Sequence, residues 1–448
     1  MPHPTLAALA AALAAGRSTS RRLVEDCLAR IDEPGGEGAR AFVGVDRDKA
    51  LKAAEAMDLL RAAGAAPSPF AGIPIAIKDL FDIAGEVTTA GSRALADSPP
   101  AASDAAAVAR LRQAGFIALG RANMTEFAYS GLGMNPHYGH PRAPFERGVG
   151  RVSGGSSSGG AVAVADAMAH AALGTDTGGS CRIPAAFCGI VGYKPTARRV
   201  PQQGCVPLSP SLDSIGPLAR SVQCCASLDA ILAGEPPVTL VPARLQGLRL
   251  AVPTTIALAG LAPEVEAAFD RAMAALAAAG AVIARIAVPE FDEIAAINAK
   301  GGFTAPESFA WHRDLLAAKG DLYDPRVSGR IRRGASVSAV DYIDNLAARQ
   351  GMIARIAARL SGFDAVAMPT VAILPPPIAA LEQDEDAYTQ ANLMALRNCT
   401  LINMIDGCAI SLPASRQGEA PVGLMIAGLA GQDARILAIA AGVEALLA

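Results

Sequence analysis

Apolar and polar positions along the chain fall into two rhythms. Short β-branched and aliphatic runs recur at 73–79 (IPIAIKD), 116–120 (FIALG), 171–175 (AALGT), 248–253 (LRLAVP), 281–288 (AVIARIAV), 364–369 (DAVAMP) and 421–428 (PVGLMIAG). Each is short and bounded by Gly, Pro or charged residues, which predicts buried strands. Between them, helical spacing predicts helices over 4–15, 19–31, 46–64, 103–114, 124–129, 160–170, 263–279, 338–359 and 432–447. Ser18 or Thr19 is placed to cap the second of these. Strand alternating with helix is the signature of an α/β layer fold. The stretch from about 290 to 345 breaks the rhythm. It is mostly polar, holds Trp311, Tyr323 and Tyr342, and predicts a helical excursion from the sheet, part of a lid. With a helical segment at about 1–65, no clean linker and no internal repeat, the expectation is one domain over 1–448.

Composition sharpens this picture. Apolar residues make up 52% of the chain and aromatics only 4%, so a large core must be filled by Ala, Val, Leu and Ile. The formal net charge of -3 offers no polyanion-binding surface, and nucleic acid is not an expected partner. The N-terminal apolar run lacks a basic stretch before it, which predicts helices rather than a secretory signal. The run AVAVADAMAHAALG is interrupted by Asp166 and His170, and no membrane span is expected. Eight cysteines form no C-x-x-C pair, and with five histidines none has zinc spacing. Free, mostly buried thiols in a reducing, cytoplasmic setting are expected, and no metal.

Three segments could carry chemistry. They are Lys78 at a strand end, GGSSSGG at 154–160, and GTDTGGSCRIP at 174–184. Glycines before Ser180 let successive N–H groups converge beside a hydroxyl, as acyl transfer requires. The following IPAAF could open a short helix. Gly155-Ser156-Ser157-Ser158-Gly159 also fits G-x-S-x-G, but no strand precedes it and no histidine follows His312 to complete a triad. Neither glycine run has the lysine of a phosphate-binding loop. With histidine scarce, a desolvated lysine can serve as base, because burial lowers its pKa. The competing reading of Lys78 is a surface residue paired with Asp79. Between Ser156 and Ser157 as a proton relay, these residues alone do not choose.

Taken together, GIPIAIKD, GRANMTEFA, GGSSSGG, GTDTGGSCRIPAAFCGIVGYKPT and SLDSIGPLARS resemble the amidase signature family, with the family's spacing between Ser156 and Ser180. The resemblance covers most of the chain and is densest over about 71–220. It implies an α/β/α fold with a large, mixed, twisted sheet. It implies a Ser–cis-Ser–Lys triad in which Ser180 is the nucleophile, Ser156 the relay, preceded by a cis peptide bond, and Lys78 the base. The oxyanion hole would come from the amides of Thr177, Gly178 and Gly179. Ser157, Asp176 and Arg182 would support the site, Arg182 by bracing the turn, and Thr125 and Glu126 would be structural. No cofactor is implied. Cys181 departs from the family, which usually has an apolar residue there, and fits as a small buried thiol.

The implied reaction is hydrolysis of a linear amide to acid plus ammonia or amine, on a small-molecule substrate. Tyr129 and Met134, in the loop 129–142 with His137 and Tyr138, are candidates for the pocket wall, as are 290–345 and 370–400. Two other hydrolytic readings share the triad: the glutaminase component of a tRNA-dependent amidotransferase, which needs a partner, and a hydrolase of urea-like substrates such as biuret or allophanate. A non-enzymatic relative would have lost Lys, relay Ser or nucleophile, and all three are present. A homodimer is compatible with these features.

Overall fold

The computed structural model describes residues 4–447; residues 1–3 of the expected N-terminal segment, and Ala448, lie outside them. Its strands are β1 (Phe42–Gly44), β2 (Pro74–Lys78), β3 (Ile117–Ala122), β4 (Ala172–Asp176), β5 (Val191–Lys194), β6 (Ser214–Ala219), β7 (Arg249–Pro253), β8 (Val282–Ile286), β9 (Ala365–Pro369), β10 (Cys408–Pro413) and β11 (Gly423–Gly428). They form one sheet in the order β1-β3-β2-β4-β6-β5-β10-β11-β9-β7-β8. Both wings are parallel, through β3-β2-β4 and β9-β7-β8. The middle, from β4 to β9, is antiparallel.

Side chains alternate faces along a strand, and here both faces are buried. Ile75, Ile77, Leu250, Val252, Leu424 and Ile426 point into one apolar layer. That layer is covered by helices Leu6–Ala14, Ala106–Gln113, Val222–Ala233 and Asp433–Leu447. Their neighbours Ala76, Ala251, Val366, Met425 and Ala427 point the other way. Against them pack Ser20–Ile31, Ser158–Ala165, Arg182–Cys188, Ala339–Leu360 and Glu385–Asn403. The fold is therefore a large mixed sheet flanked by helices on both faces.

Helix Ser158–Ala165 is built of small residues because it lies close to its neighbours. A β carbon on Gly159 would stand 2.2 Å from Ala41 O and 2.6 Å from Asn123 N. This approach sets the Gly/Ser loop before the helix at the ends of β2 and β4. Thr19 is the cap of Ser20–Ile31, its side chain accepting from Arg22 N.

Several elements differ from the sequence pattern. Residues 124–129 do not form an α-helix. A single 3₁₀ turn spans Glu126–Ala128, with Phe127 at φ 48° and Ala128 at φ 60°. The turn folds back because Glu126, buried, accepts from Ser92 Oγ at 2.6 Å and Asp324 N at 2.7 Å, while Phe127 stacks on Tyr323 at 5.0 Å. Strands β5, β6 and β10 and helices Val222–Ala233 and Glu385–Asn403 add to the elements that the pattern predicts. The stretch 290–345 holds helices Glu293–Asn298, Thr304–Lys319, Pro325–Arg332 and the start of Ala339–Leu360.

Candidate active site

β2 and β4 are adjacent and parallel, so their carboxyl ends stand side by side, where α/β sheets commonly place sites. Lys78 ends β2 and Asp176 ends β4. Lys78 is 1% exposed. Its Nζ donates to Ser156 Oγ at 2.8 Å and Thr175 Oγ1 at 2.6 Å. Burial pulls its pKa down from 10.5 to about 8. Asp79 is not its partner; Arg121 Nε takes Asp79 Oδ1 at 2.5 Å, and Gly91 N takes Oδ2 at 2.9 Å.

The Gly155–Ser156 peptide bond is cis. Ser156 O accepts from Thr125 N at 3.1 Å, and Ser157 N donates to Ser180 O at 3.3 Å, which ties the Gly/Ser loop to the second glycine turn. Ser157 Oγ reaches Thr175 O at 3.4 Å. Relay and nucleophile candidates thus sit on two loops joined at one strand edge, with the lysine behind them.

Asp176 organises the second turn. It accepts from Gly179 N at 2.9 Å, Cys181 N at 3.1 Å, Asn403 Nδ2 at 2.9 Å, and Arg182 through Nε at 3.0 Å and Nη2 at 2.8 Å. Burial would push its carboxyl up, but the Arg182 guanidinium overcomes this and holds it well below the usual carboxylate range. Arg182 also donates to Asn403 Oδ1 at 2.6 Å and Cys399 O at 3.2 Å, anchoring the turn to helix Glu385–Asn403. Gly179 takes φ 128°, and its N–H is turned to Asp176. Of the three amides expected to form an oxyanion hole, those of Thr177 and Gly178 belong to residues on the cavity wall. Thr177 Oγ1 donates to Asp213, whose other oxygen accepts from Leu208 N and Ser209 N, each at 3.0 Å. Burial pushes the Asp213 carboxyl up to about 6. Burial also drives the Cys181 thiol well above its ordinary range, so Cys181 presents no thiolate.

In front of Ser180 opens a cavity of about 520 Å³. Tyr129 lines it, together with residues of 291–304 and 392–404. Met134 is not on this wall. The structure packs it, buried, into the apolar cluster that holds Leu132 and Ile183. His137 instead bonds Glu126 Oε1 at 2.9 Å. Thr175, Asp213 and Asn403 join the site without having been singled out from sequence. Asp213 lies inside the SLDSIGP run and Thr175 inside GTDTGGSCRIP, whereas Asn403 carries no local signal. Among the described residues, no group of three or more His, Cys, Asp or Glu side chains could hold a metal ion, and no helix is long and apolar enough to cross a membrane.

The sheet and its two flanking layers define an α/β/α fold, with a candidate lysine–serine site at the ends of parallel strands. The family model for Amidase matches residues 22–437, and the chain belongs to that family. It is similar over its whole length to 2-amino-5-chloromuconic acid deaminase of Comamonas testosteroni, 37% identical over 99% of this chain and 96% of the relative. It is also 34% identical to a component of the glutamyl-tRNA(Gln) amidotransferase of Chromohalobacter salexigens, over 98% of this chain and 96% of the relative. A crystal structure of an amidase superposes with a TM-score of 0.90 at 32% identity, covering 99% of this chain and all of the other. The chain is accordingly an amidohydrolase.

Proposed function

We propose that the protein hydrolyses a carboxylic amide to acid plus ammonia or amine through an acyl-enzyme on Ser180. The observation that carries this reading is the buried Lys78, which among the described residues has no carboxylate partner and donates to Ser156 Oγ at 2.8 Å. A lysine with a pKa near 8 is partly neutral at physiological pH and can accept a proton. Lys78 takes the proton of Ser156 as Ser156 takes that of Ser180. Ser180 Oγ attacks the carbonyl carbon. The amides of Thr177 and Gly178 hold the oxyanion, while that of Gly179 keeps the Asp176 cap in place. The proton returns through Ser156 to the leaving nitrogen, which could not depart as an amide anion. Water activated by the same relay then releases the acid.

The family match over most of the chain supports a single domain, and eight free cysteines support a reducing, cytoplasmic compartment. The relative named as a deaminase supports C–N cleavage more broadly. The relatives from glutamyl-tRNA(Gln) amidotransferases support a second reading, a glutaminase that sends ammonia to a partner. Ammonia release from simple amides by the chain alone favours the first; glutamine hydrolysis only with a partner favours the second. The primary test is labelling with a fluorophosphonate probe, which should modify Ser180 and vanish in Ser180→Ala. Labelling at Ser157, or undiminished labelling in that variant, would refute the assignment.

A further inference from the structure

Among the described residues, the cavity in front of Ser180 is lined by two guanidiniums and by no carboxylate. Arg397, half-buried on helix Glu385–Asn403, donates from Nη1 to Ala259 O at 2.6 Å, from Nη2 to Ala257 O at 3.4 Å and from Nε to Asn398 Oδ1 at 3.1 Å. Every acceptor is neutral. Arg330, on helix Pro325–Arg332, donates to Tyr129 O at 2.7 Å and lies 5.3 Å from the centre of the Tyr388 ring. Among the described residues, neither arginine has an Asp or Glu within ion-pair distance, although nearby Arg326 pairs with Glu385. Burial pulls the Arg397 pKa below its ordinary value, with no acid offsetting it.

A guanidinium remains charged in any protein environment, and half-buried on a largely apolar wall its charge is only partly solvated. An anion brought by the substrate would supply the missing counter-charge, accepting from the guanidinium N–H groups that these bonds leave free. The same helix places this charge close to the reacting end. A β carbon on Gly178 would lie 3.3 Å from Leu396 Cδ2 and 3.5 Å from Thr400 Oγ1. Arg397 is three residues before Thr400, so the two share a helix face, with β carbons roughly 5–6 Å apart.

We propose that the amide substrate carries a carboxylate a few bonds from its scissile carbonyl, bound by Arg397 with Arg330 flanking it. This rests on the amide-hydrolase reading and names its substrate class: short amido acids rather than neutral amides. Asp213, the acid behind Thr177, does not oppose this charge across the cavity, since three donors hold it and it is not on the wall.

The test compares succinamate with butanamide, which has a methyl group in place of the carboxylate. Wild-type enzyme should prefer succinamate by on the order of 100-fold in kcat/KM, chiefly through KM. The preference should collapse to within about threefold in Arg397→Gln, recover in part in Arg397→Lys, and weaken in Arg330→Gln. Equal use of both amides by the wild type, or a preference intact in both glutamine variants, overturns the proposal. If Arg397→Gln fails to fold through loss of its bonds to 257–259, the wild-type ratio and Arg330→Gln still decide. Succinate, which has no scissile bond, separates the two readings. Thermal protection of wild type by succinate, absent in the glutamine variants, together with no turnover of either amide and no probe on Ser180, keeps the anion site and sinks hydrolysis. A labelled Ser180 with butanamide cleaved as well as succinamate does the reverse.

Discussion

Arg182 grips both oxygens of Asp176, through Nε at 3.0 Å and Nη2 at 2.8 Å, and both side chains are fully buried. Removing the cation alone leaves an uncompensated charge in the interior. Arg182→Met should therefore lower unfolding stability by about 3–5 kcal/mol in urea titration. Asp176→Asn with Arg182→Met, which removes both charges, should recover part of that loss. A single variant as stable as wild type would mean the pair does not brace the turn.

Lys78→Ala should reduce kcat by about 10³-fold. In wild type the rate should climb along one basic limb centred near pH 8, as the buried ammonium loses its proton. A flat profile between pH 6 and 10, or a variant that keeps its turnover, removes Lys78 from the base role.

Thr175 gives the lysine its second hydroxyl contact, at 2.6 Å. That oxygen favours the charged amine. Thr175→Val, nearly isosteric, should move the basic limb about one unit lower. A limb that stays in place while activity falls would instead mark a packing effect.

The same lysine carries a stability signature. Its folded pKa of about 8 lies below the ordinary 10.5, so between these values the unfolded chain binds the extra proton. Wild-type stability relative to Lys78→Met should be constant below pH 8 and rise by about 3 kcal/mol on going to pH 10.5. Chemical denaturation of both proteins across that range measures the difference, and a difference independent of pH contradicts a depressed pKa.

Gly179→Ala tests the second turn. At φ 128°, a β carbon would stand 2.6 Å from Cys399 Cβ and 2.6 Å from Ile183 Cδ1. Loss of probe labelling at Ser180, with stability lower by more than about 2 kcal/mol, is expected. A fully active, equally stable variant would show that the turn tolerates another geometry.

The sequence is most legible where local pattern and burial agree. The run 73–79 contains β2, with Lys78 as its last residue, because an unbroken aliphatic strand buried on both faces looks apolar throughout. β6, SIGPLA, and β5, VGYK, are equally buried but are diluted by Gly, Pro, Ser and Lys, so they lack a strand signal. NMTEF reads as a helix, but tertiary bonds to Glu126 and rings packed on Phe127 override its propensity. The proposed triad residues can be named from sequence because each lies in a motif. Asn403 and Arg397 cannot, since their roles depend on which distant segments the sheet and helix Glu385–Asn403 bring together; Thr175 lies in GTDTGGSCRIP, but nothing local points it at Lys78. Met134 is misplaced for the same reason: nothing local says which way a loop side chain turns.

Lys78 is dried only by a closed sheet, and this gives folding a chemical output. Before β2 and β4 are joined and covered, the amine has its ordinary basicity near 10.5 and is an ammonium at neutral pH, unable to take a proton. With Lys78 in the proposed base role, a nascent or half-assembled chain is then catalytically silent even with both serines present. During refolding, turnover would emerge only once water has left that strand edge, so product release reports the closure of this part of the interior.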